Sequence, residues 1–301
     1  RDRSPSRGLG DVYKRQGKQF KKLMENEEIV VAMGAATPLF AKLIERAGFP
    51  VVNVTGAGLA NMNFAIPDYG MVTMTEQVEI IKRINDATSL PLICDLDDGY
   101  GSAINVYRTI KEVSRLDVGA VFIEDQQNPK RCGHFEDHAI IPLDSMIGKI
   151  HAAKDASSDP DMHLMVRTDA LSATGSYEQT LEIAQAYVEA GADSIFIEAI
   201  QTEQEVRDIP HHFSVPAVIN LVEKGKTPMF PNKELQAMGY KIVFYGNALL
   251  KASMFGVMKM LDYVKEHDTT DGCDDQLMIT SALRHEILGK EAYKELIKKY
   301  Q

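Results

Sequence analysis

From Glu27 onward, short runs of β-branched and other apolar residues alternate with longer stretches of helical period. About eight such runs are present, and each is nearly continuously hydrophobic instead of alternating with polar residues. This pattern is typical of parallel strands that are covered on both faces. We predict strands at residues 29–33, 51–54, 92–95, 120–124, 164–167, 194–198, 217–220 and 242–245.

Several of the intervening helices have recognisable starts. Thr37 precedes a proline, which favours a capped helix with proline at its first position. Thr73 with Glu76, and Thr202 with Glu205, have the spacing of a capping box, in which hydroxyl and carboxylate each satisfy a backbone donor. These signals support the division into strand and helix units.

About eight strand–helix units without a Pro/Gly/Ser-rich linker predict an α/β protein with a single (β/α)8 TIM-type barrel. A doubly wound open sheet is the alternative, but GAG at residues 56–58 is too short for its phosphate-binding turn. We predict an appended or disordered extension at residues 1–20, and one barrel domain at residues 21–301. The tail after Asp268 has helical signals, which places further helices outside the barrel.

Composition and charge exclude several classes of protein. The net charge of −10 argues against nucleic-acid binding, and no apolar run approaches the length of a membrane span. The three cysteines are widely spaced and odd in number, which argues against a disulfide framework. We therefore expect a cytoplasmic protein that binds neither nucleic acid nor membrane.

Acidic side chains follow several predicted strands, at the end of the barrel where active sites lie. Each one alone could be a helix cap or a turn residue. Together they would repel one another unless a cation or bound protons compensated them, and a metal site is the more economical explanation. Oxygen ligands without histidine favour Mg²⁺, with Mn²⁺ as the alternative. We predict Asp95, Asp97 and Glu124 as the metal ligands, and Asp98 as a cap of the next helix.

Two further features carry candidate chemistry. Arg167 ends an apolar strand, where it could bind a substrate carboxylate or form an ion pair with Glu124 or Glu198. In the loop after the fourth strand, Cys132 lies among Lys130, Arg131 and His134, and neighbouring cations lower the pKa of a thiol. Cys132 is therefore a candidate acid, base or nucleophile.

The sequence resembles the isocitrate lyase and phosphoenolpyruvate mutase superfamily, specifically its short methylisocitrate lyase-like members. The likeness runs from about Glu27 to the tail and rests on ordered motifs. These are TGAG (55–58), PDYG (67–70), DLDDGYG (95–101), IEDQ (123–126), KRCGH (130–134), RTDA (167–170), IEA (197–199) and NLVEKGKTP (220–228).

The resemblance implies a barrel whose last helix is exchanged between subunits of a homotetramer, a dimer of dimers, with Mg²⁺ at its mouth. It assigns the metal to Asp95, Asp97 and Glu124. It assigns catalytic roles to Cys132, Arg167 and Glu198, with Cys132 as the acid–base residue. The substrate contacts that the resemblance implies are Thr55, Gly56, Ala57, Asp68, Lys130, Arg131, Gly133, His134 and Asn220.

The implied reaction is retro-aldol cleavage of a 2-hydroxy di- or tricarboxylate, such as 2,3-dimethylmalate or 2-methylisocitrate, to pyruvate and a carboxylic acid. Oxaloacetate decarboxylation and a phosphonomutase reaction are alternatives on the same fold. Asn53 replaces a tyrosine found in many relatives and cannot accept a proton, which motivates a third alternative, a non-catalytic ligand-binding barrel. Val222 replaces a threonine of the methylisocitrate cleavers and favours a smaller dicarboxylate.

Overall fold

The computed structural model describes residues 16–128, 139–273 and 276–301. Eight parallel strands close into one barrel in chain order, with the last strand pairing with the first. The strands are β1 (Val30–Ala35), β2 (Val51–Val54), β3 (Leu92–Asp95), β4 (Ala120–Glu124), β5 (His163–Thr168), β6 (Ser194–Ile197), β7 (Ala217–Asn220) and β8 (Tyr240–Tyr245).

Helices surround this barrel and extend beyond it. The helices of the described residues are α1 (Gln16–Glu25), α2 (Pro38–Arg46), α3 (Gly56–Phe64), α4 (Met74–Ala87), α5 (Ala103–Ser114), α6 (Leu143–Ala156), α7 (Ala170–Thr174), α8 (Tyr177–Glu189), α9 (Glu203–Asp208), α10 (Asn232–Met238), α11 (Ala248–His267), α12 (Ser281–Ile287) and α13 (Lys290–Tyr300). The predicted (β/α)8 barrel with C-terminal helices is confirmed.

The predicted helix starts agree with the structure. Thr37 accepts a hydrogen bond from the backbone of α2, and proline occupies the start of that helix. Both capping boxes are present, Thr73 with Glu76 at α4 and Thr202 with Glu205 at α9. Each cap satisfies backbone donors that the first turn of a helix would otherwise leave unpaired.

Two layers of apolar side chains hold the barrel together. The outer faces of the strands pack against the surrounding helices. Inside the barrel, Phe122, Phe196 and Phe244 contact one another, with ring centroids 5.6 to 6.0 Å apart. Because alternate residues of a strand point to opposite faces, these three rings fill the barrel interior below the mouth.

Helix α1 packs against this same inner cluster through Phe20, which is fully buried. Gln16, at the start of α1, accepts a hydrogen bond from the backbone N–H of Leu92, 2.8 Å away. The helix therefore begins five residues before residue 21, where the sequence placed the start of the barrel domain. Residues 1–15 lie outside the described ranges.

Helix α11 follows β8 but buries little of its apolar surface. Leu250 is its one buried residue. Its apolar side chains Met254, Phe255, Met258 and Leu261 are between 56% and 65% exposed. No helix in the described ranges is both long and apolar enough to cross a membrane.

Candidate active site

A polar cavity lies at the carboxyl ends of the strands, above the three phenylalanine rings. It encloses about 550 Å³ of empty space, including its open mouth. Its lining residues come from most of the strands and the loops that follow them. They are Asn53, Thr55, Ala57, Asp68, Asp95, Phe122, Arg167, Phe196, Glu198, Asn220, Val222, Phe244, Gly246 and Asn247.

The loop after β3 has an unusual backbone. Asp97, Gly99, Tyr100 and Gly101 all have positive φ angles, and two of these residues are not glycine. Such conformations cost free energy and persist where surrounding contacts enforce them, often at functional sites. Here the carboxylate of Asp95 accepts a hydrogen bond from the backbone N–H of Asp97 at 3.1 Å. The loop is thereby turned back over the end of β3.

Gly56 allows two carboxylates to approach the backbone at the start of α3. Its N–H donates to Asp95 Oδ2 at 3.0 Å. A Cβ at this position would lie 2.8 Å from Asp95 Oδ2 and 3.1 Å from Asp97 Oδ1. Oxygen atoms of two buried aspartates therefore converge on one small space, and hard carboxylate oxygens are the ligands that Mg²⁺ prefers.

Arg167 is held in a cluster of buried carboxylates. Its Nε and Nη2 donate to the two carboxylate oxygens of Asp169 at 2.9 and 2.8 Å. Nη1 lies 3.1 Å from Glu124 Oε2, and Nε lies 3.9 Å from Glu198 Oε2. Burial opposes the charge on Arg167, but Asp169, Glu124 and Glu198 outweigh it and hold the pKa of the guanidinium well above its ordinary value.

The ion pair of Arg167 with Glu124, one of the two alternatives from the sequence, is thus present, and Asp169 is a stronger partner that the sequence did not suggest. The guanidinium also lies over the Phe196 ring, 5.5 Å from its centroid. Asp169 occupies two of the five N–H donors of the guanidinium. The Arg167 guanidinium therefore has further N–H donors for a substrate carboxylate.

Neutral polar groups continue this cluster along the cavity. Asn220 donates from Nδ2 to Glu198 Oε2 at 3.3 Å. A Cβ built on Gly246 would have three polar atoms within 3.9 Å: Thr55 Oγ1, Asn220 Oδ1 and Asn53 Nδ2. The cavity therefore joins a charged part around Arg167 to an uncharged part beside Gly246.

A buried polar network supports Arg167 from below. Asp125 accepts hydrogen bonds from Thr168 Oγ1 at 2.6 Å, the backbone N–H of Asp169 at 2.9 Å and Tyr187 Oη at 2.9 Å. Burial and the neighbouring charge of Asp169 raise the pKa of Asp125 to about 6, although its three donors act in the opposite direction. This network fixes the backbone of the residue that clamps Arg167.

The prediction that Asp98 caps the next helix is wrong. Ser102 occupies the N-cap of α5, and Asp98 instead accepts a hydrogen bond from Asn128 Nδ2 at 2.7 Å. Lys149 lies 3.6 Å from the Asp98 carboxylate and donates to its main-chain oxygen at 2.7 Å. The Asp98 carboxylate also accepts a hydrogen bond from the backbone N–H of Tyr100 at 2.9 Å, so it is occupied by these partners and by the cation of α6.

Most of the predicted site residues lie in or beside one cavity. Thr55, Ala57, Asp68, Asp95, Arg167, Glu198 and Asn220 line it, and Gly56 and Asp97 adjoin it. Lys130, Arg131, Cys132, Gly133 and His134 lie outside the described residues.

The predicted metal ligands are only partly brought together. In the described ranges, no group of three or more His, Cys, Asp or Glu side chains is arranged to hold a metal ion. Asp95 and Asp97 converge beside Gly56, whereas Glu124 lies against Arg167. The role of these three residues in metal binding stays a prediction.

Two residues below the cavity, Asp125 and Asp169, were noted at strand ends from the sequence but were given no role, and Asn247 was missed. Asp169 and Asp125 follow strands that the sequence located correctly, so their positions after β5 and β4 were a usable signal. Asn247 lies in the turn between β8 and α11, and no motif marked it.

An acidic cavity at the carboxyl ends of a (β/α)8 barrel defines the class of barrel enzymes that act on small polar substrates. Residues 20–265 match the family model described as phosphoenolpyruvate phosphomutase. The chain is 38% identical to the 2,3-dimethylmalate lyase of Eubacterium barkeri over 282 residues, 94% of this chain and 97% of that protein. It is 34% identical to the 2-methylisocitrate lyase of Shewanella oneidensis, covering 93% and 95% of the two chains.

A solved structure carries the same fold with a metal. The complex of phosphonopyruvate hydrolase with oxalate and Mg²⁺ superposes with a TM-score of 0.85 at 27% identity, covering 96% of this chain and 99% of that chain. This chain therefore belongs to the phosphoenolpyruvate mutase and isocitrate lyase family, as its motifs indicated.

Proposed function

We propose that this protein is a Mg²⁺-dependent carbon–carbon lyase that cleaves a 2-hydroxy di- or tricarboxylate to pyruvate and a second carboxylic acid. The observation that carries the proposal is the buried group of Asp95, Asp97, Glu124 and Arg167 at the barrel mouth, in a chain closely similar to two such lyases along almost its whole length. A 2,3-dimethylmalate-type dicarboxylate is the preferred substrate class.

The donor set fits a hard divalent ion. Asp95 and Asp97 present oxygen atoms to one small space beside Gly56. Arg167 supplies one positive charge to the carboxylates of Asp169, Glu124 and Glu198, which leaves a surplus of buried negative charge that a cation would compensate. Asp95, Asp97 and Glu124 would hold the ion, in part through water. When bound, Mg²⁺ polarises the oxygen atoms of the group that becomes the 2-oxo acid.

The reaction needs one proton removed and one supplied. The substrate hydroxyl loses its proton, its oxygen forms a carbonyl, and the adjacent carbon–carbon bond breaks with its electron pair leaving on the second fragment. That fragment is then protonated at carbon. We assign acceptance of the hydroxyl proton to Glu198, a carboxylate that lines the cavity next to Asn220. Cys132 is the proposed proton donor to the leaving fragment.

Arg167 positions the substrate and balances charge. Its fork is clamped by Asp169 and supported by the Phe196 ring, so its orientation is set before substrate binds. A preoriented cation next to developing negative charge stabilises the transition state without reorganisation. Thr55, Gly56, Ala57, Asp68 and Asn220 complete the proposed contacts, together with Lys130, Arg131, Gly133 and His134.

A panel assay of 2-oxo acid formation, which detects pyruvate and the glyoxylate expected from isocitrate, tests this proposal. The protein would be incubated with Mg²⁺ and 2,3-dimethylmalate, 2-methylisocitrate, isocitrate or oxaloacetate, with chelated samples as controls. We expect pyruvate from 2,3-dimethylmalate in the presence of Mg²⁺ and none after chelation. The Cys132→Ser variant should lose turnover by two orders of magnitude or more, the scale of a general acid–base contribution. No pyruvate from any hydroxy acid would refute the lyase proposal.

A second candidate is a reaction at a phosphorus–carbon bond. The family match to phosphoenolpyruvate phosphomutase and the likeness to phosphonopyruvate hydrolase favour it. Phosphorus NMR of an incubation with phosphonopyruvate distinguishes this chemistry from the lyase, because rearrangement or hydrolysis moves the phosphorus resonance. A carbon dioxide assay on oxaloacetate tests decarboxylation in the same way.

We also propose that α11 is exchanged between subunits of a homotetramer. Its exposed apolar side chains would become buried in such an assembly. An apolar groove beside α2, lined in part by Phe40, Leu43 and Phe49, would receive a helix from the partner. Burial of apolar surface of this kind drives association.

A further inference from the structure

Asn247 is the N-cap residue of α11, yet its side chain makes no capping hydrogen bond. An Asn side chain at this position usually accepts a bond from the first turn, a contact worth about 1 kcal/mol. Instead, Asn247 lines the polar cavity, and its Oδ1 is buried without a hydrogen-bond partner among the described residues. The Asn247 side chain therefore does not cap α11 and instead faces the polar cavity.

Thr55 behaves in the same way at the start of α3. It is the N-cap residue of that helix, lines the cavity and makes no side-chain capping bond. By contrast, Thr37 and Thr73, which lie outside the cavity lining, both cap their helices. Among these four N-cap residues, the two without a capping bond are the two that line the cavity. Departures from local rules of this kind are expected where a site needs the side chain.

A second unpartnered acceptor faces the same space. Asn53 on β2 is 3% exposed and lines the cavity, and its Oδ1 has no hydrogen-bond partner in the described residues. A buried acceptor left unpaired costs about 1 to 3 kcal/mol, so it is retained where a ligand supplies the donor. We call Asn53 and Asn247 the amide pair.

The turn that carries Asn247 is held against β1. A Cβ on Gly34 would lie 1.9 Å from the main-chain oxygen of Gly246, so only glycine fits at this point of β1. Gly246 itself has no side chain, which leaves open the space bounded by Thr55, Asn220 and Asn53. The amide pair is thus placed by the barrel backbone and does not depend on a flexible loop.

The side chains around Gly246 are uncharged, and the two unpartnered atoms of the amide pair are hydrogen-bond acceptors, so the complementary ligand group is a hydrogen-bond donor. We propose that the amide pair binds the hydroxyl group of a 2-hydroxy carboxylate and selects such acids over analogues without that group. This inference rests on the lyase function proposed above. A hydroxyl has one hydrogen, which an amide oxygen of the pair accepts in the bound acid before the proton passes to Glu198, whereas a methylene has no donor for either amide oxygen. Sites built around such a bond discriminate strongly against the analogue that lacks it.

Calorimetric binding of malate, succinate and aspartate tests this inference in buffer containing Mg²⁺. Malate and succinate differ by one hydroxyl group. We expect the unsubstituted protein to bind malate at least about tenfold more tightly than succinate, in line with one buried hydrogen bond. In Asn247→Leu and in Asn53→Leu, which keep the side-chain size, this ratio should fall below about threefold through weaker malate binding, while succinate binding stays within about twofold.

Asn26→Leu is the matched control, because Asn26 is exposed and lies outside the cavity lining, and its variant should keep the ratio. Circular dichroism melting verifies that each variant is folded. Equal affinity for malate and succinate in the unsubstituted protein, an unchanged ratio in both amide-pair variants, or aspartate binding more tightly than malate would each overturn the inference. Since no turnover is measured, this result is independent of the pyruvate assay.

Discussion

Removal of the Tyr187 hydroxyl should destabilise the protein in a pH-dependent way. Tyr187→Phe deletes one of the three donors to the buried Asp125 carboxylate and leaves those of Thr168 and Asp169 in place. A hydrogen bond to a charged group contributes about 1.5 to 3 kcal/mol, whereas one between neutral groups contributes about 1 kcal/mol. The charge state of Asp125 therefore decides the size of the loss.

The direction in which stability changes with pH follows from the pKa of Asp125, which burial raises from 3.8 to about 6 in the folded protein. Because the folded state holds this proton more tightly than the unfolded state, the stability from this group is complete below about pH 4. It decreases as the pH rises to about 6, by an amount on the order of 3 kcal/mol. Loss of the Tyr187 donor raises the pKa of Asp125 further and extends this decrease above pH 6.

Urea unfolding followed by far-ultraviolet circular dichroism at pH 5 and pH 8 measures the effect. We expect Tyr187→Phe to lower the free energy of unfolding by about 1 kcal/mol at pH 5 and by about 2 to 3 kcal/mol at pH 8. Tyr240→Phe is the matched control, because the buried hydroxyl of Tyr240 has no partner in the described residues. Removing an unpaired buried hydroxyl relieves a desolvation cost, so its variant should be at least as stable as the unsubstituted protein at both pH values. Equal losses at pH 5 and pH 8 in Tyr187→Phe would refute this reasoning.

Three further changes test separate parts of the structure. Gly56→Ala would place a methyl group 2.8 Å from Asp95 Oδ2, and calorimetry should show at least about tenfold weaker Mn²⁺ binding. Gly148→Ala is its control and should bind Mn²⁺ normally, because a Cβ there would meet only one atom, at 3.9 Å. Leu261→Asp puts a charge on the exposed apolar face of α11 and should shift the mass measured by light scattering from tetramer to smaller species. Thr73→Ala removes the capping box of α4 and should cost about 1 kcal/mol in urea unfolding, with catalysis unchanged.

The barrel could be predicted from the sequence because its strands are buried on both faces. Four predicted strands, at residues 51–54, 92–95, 120–124 and 217–220, coincide with the observed bounds. The eighth begins two residues earlier than predicted, at Tyr240, where the pairing of β7 with β8 is irregular between Ala217 and Val218. Such a register shift depends on the neighbouring strand and leaves no periodic signal.

Site residues could be predicted where their role follows from lying at the end of a strand. They were harder to predict where their role depends on a contact with another side chain. Asp95 and Arg167 follow directly from that rule. The clamp of Arg167 by Asp169 joins residues two positions apart, and it depends on how the chain turns at the end of β5. The hydrogen bond from Tyr187 to Asp125 joins residues 62 positions apart, which meet only in the folded barrel. Asn247 carried no signal, because an asparagine before a helix normally predicts a cap.

Binding of Mn²⁺, followed by electron paramagnetic resonance of the free ion, tests the proposed metal site most directly. We predict one tight site per chain in the unsubstituted protein, and at least about tenfold weaker binding in Asp97→Asn. Asp98→Asn should retain the site, because the Asp98 carboxylate is engaged by Asn128 and Lys149. Binding by Asp97→Asn that matches the unsubstituted protein, or no binding by any of the three proteins, would contradict a metal held by the carboxylates at the barrel mouth.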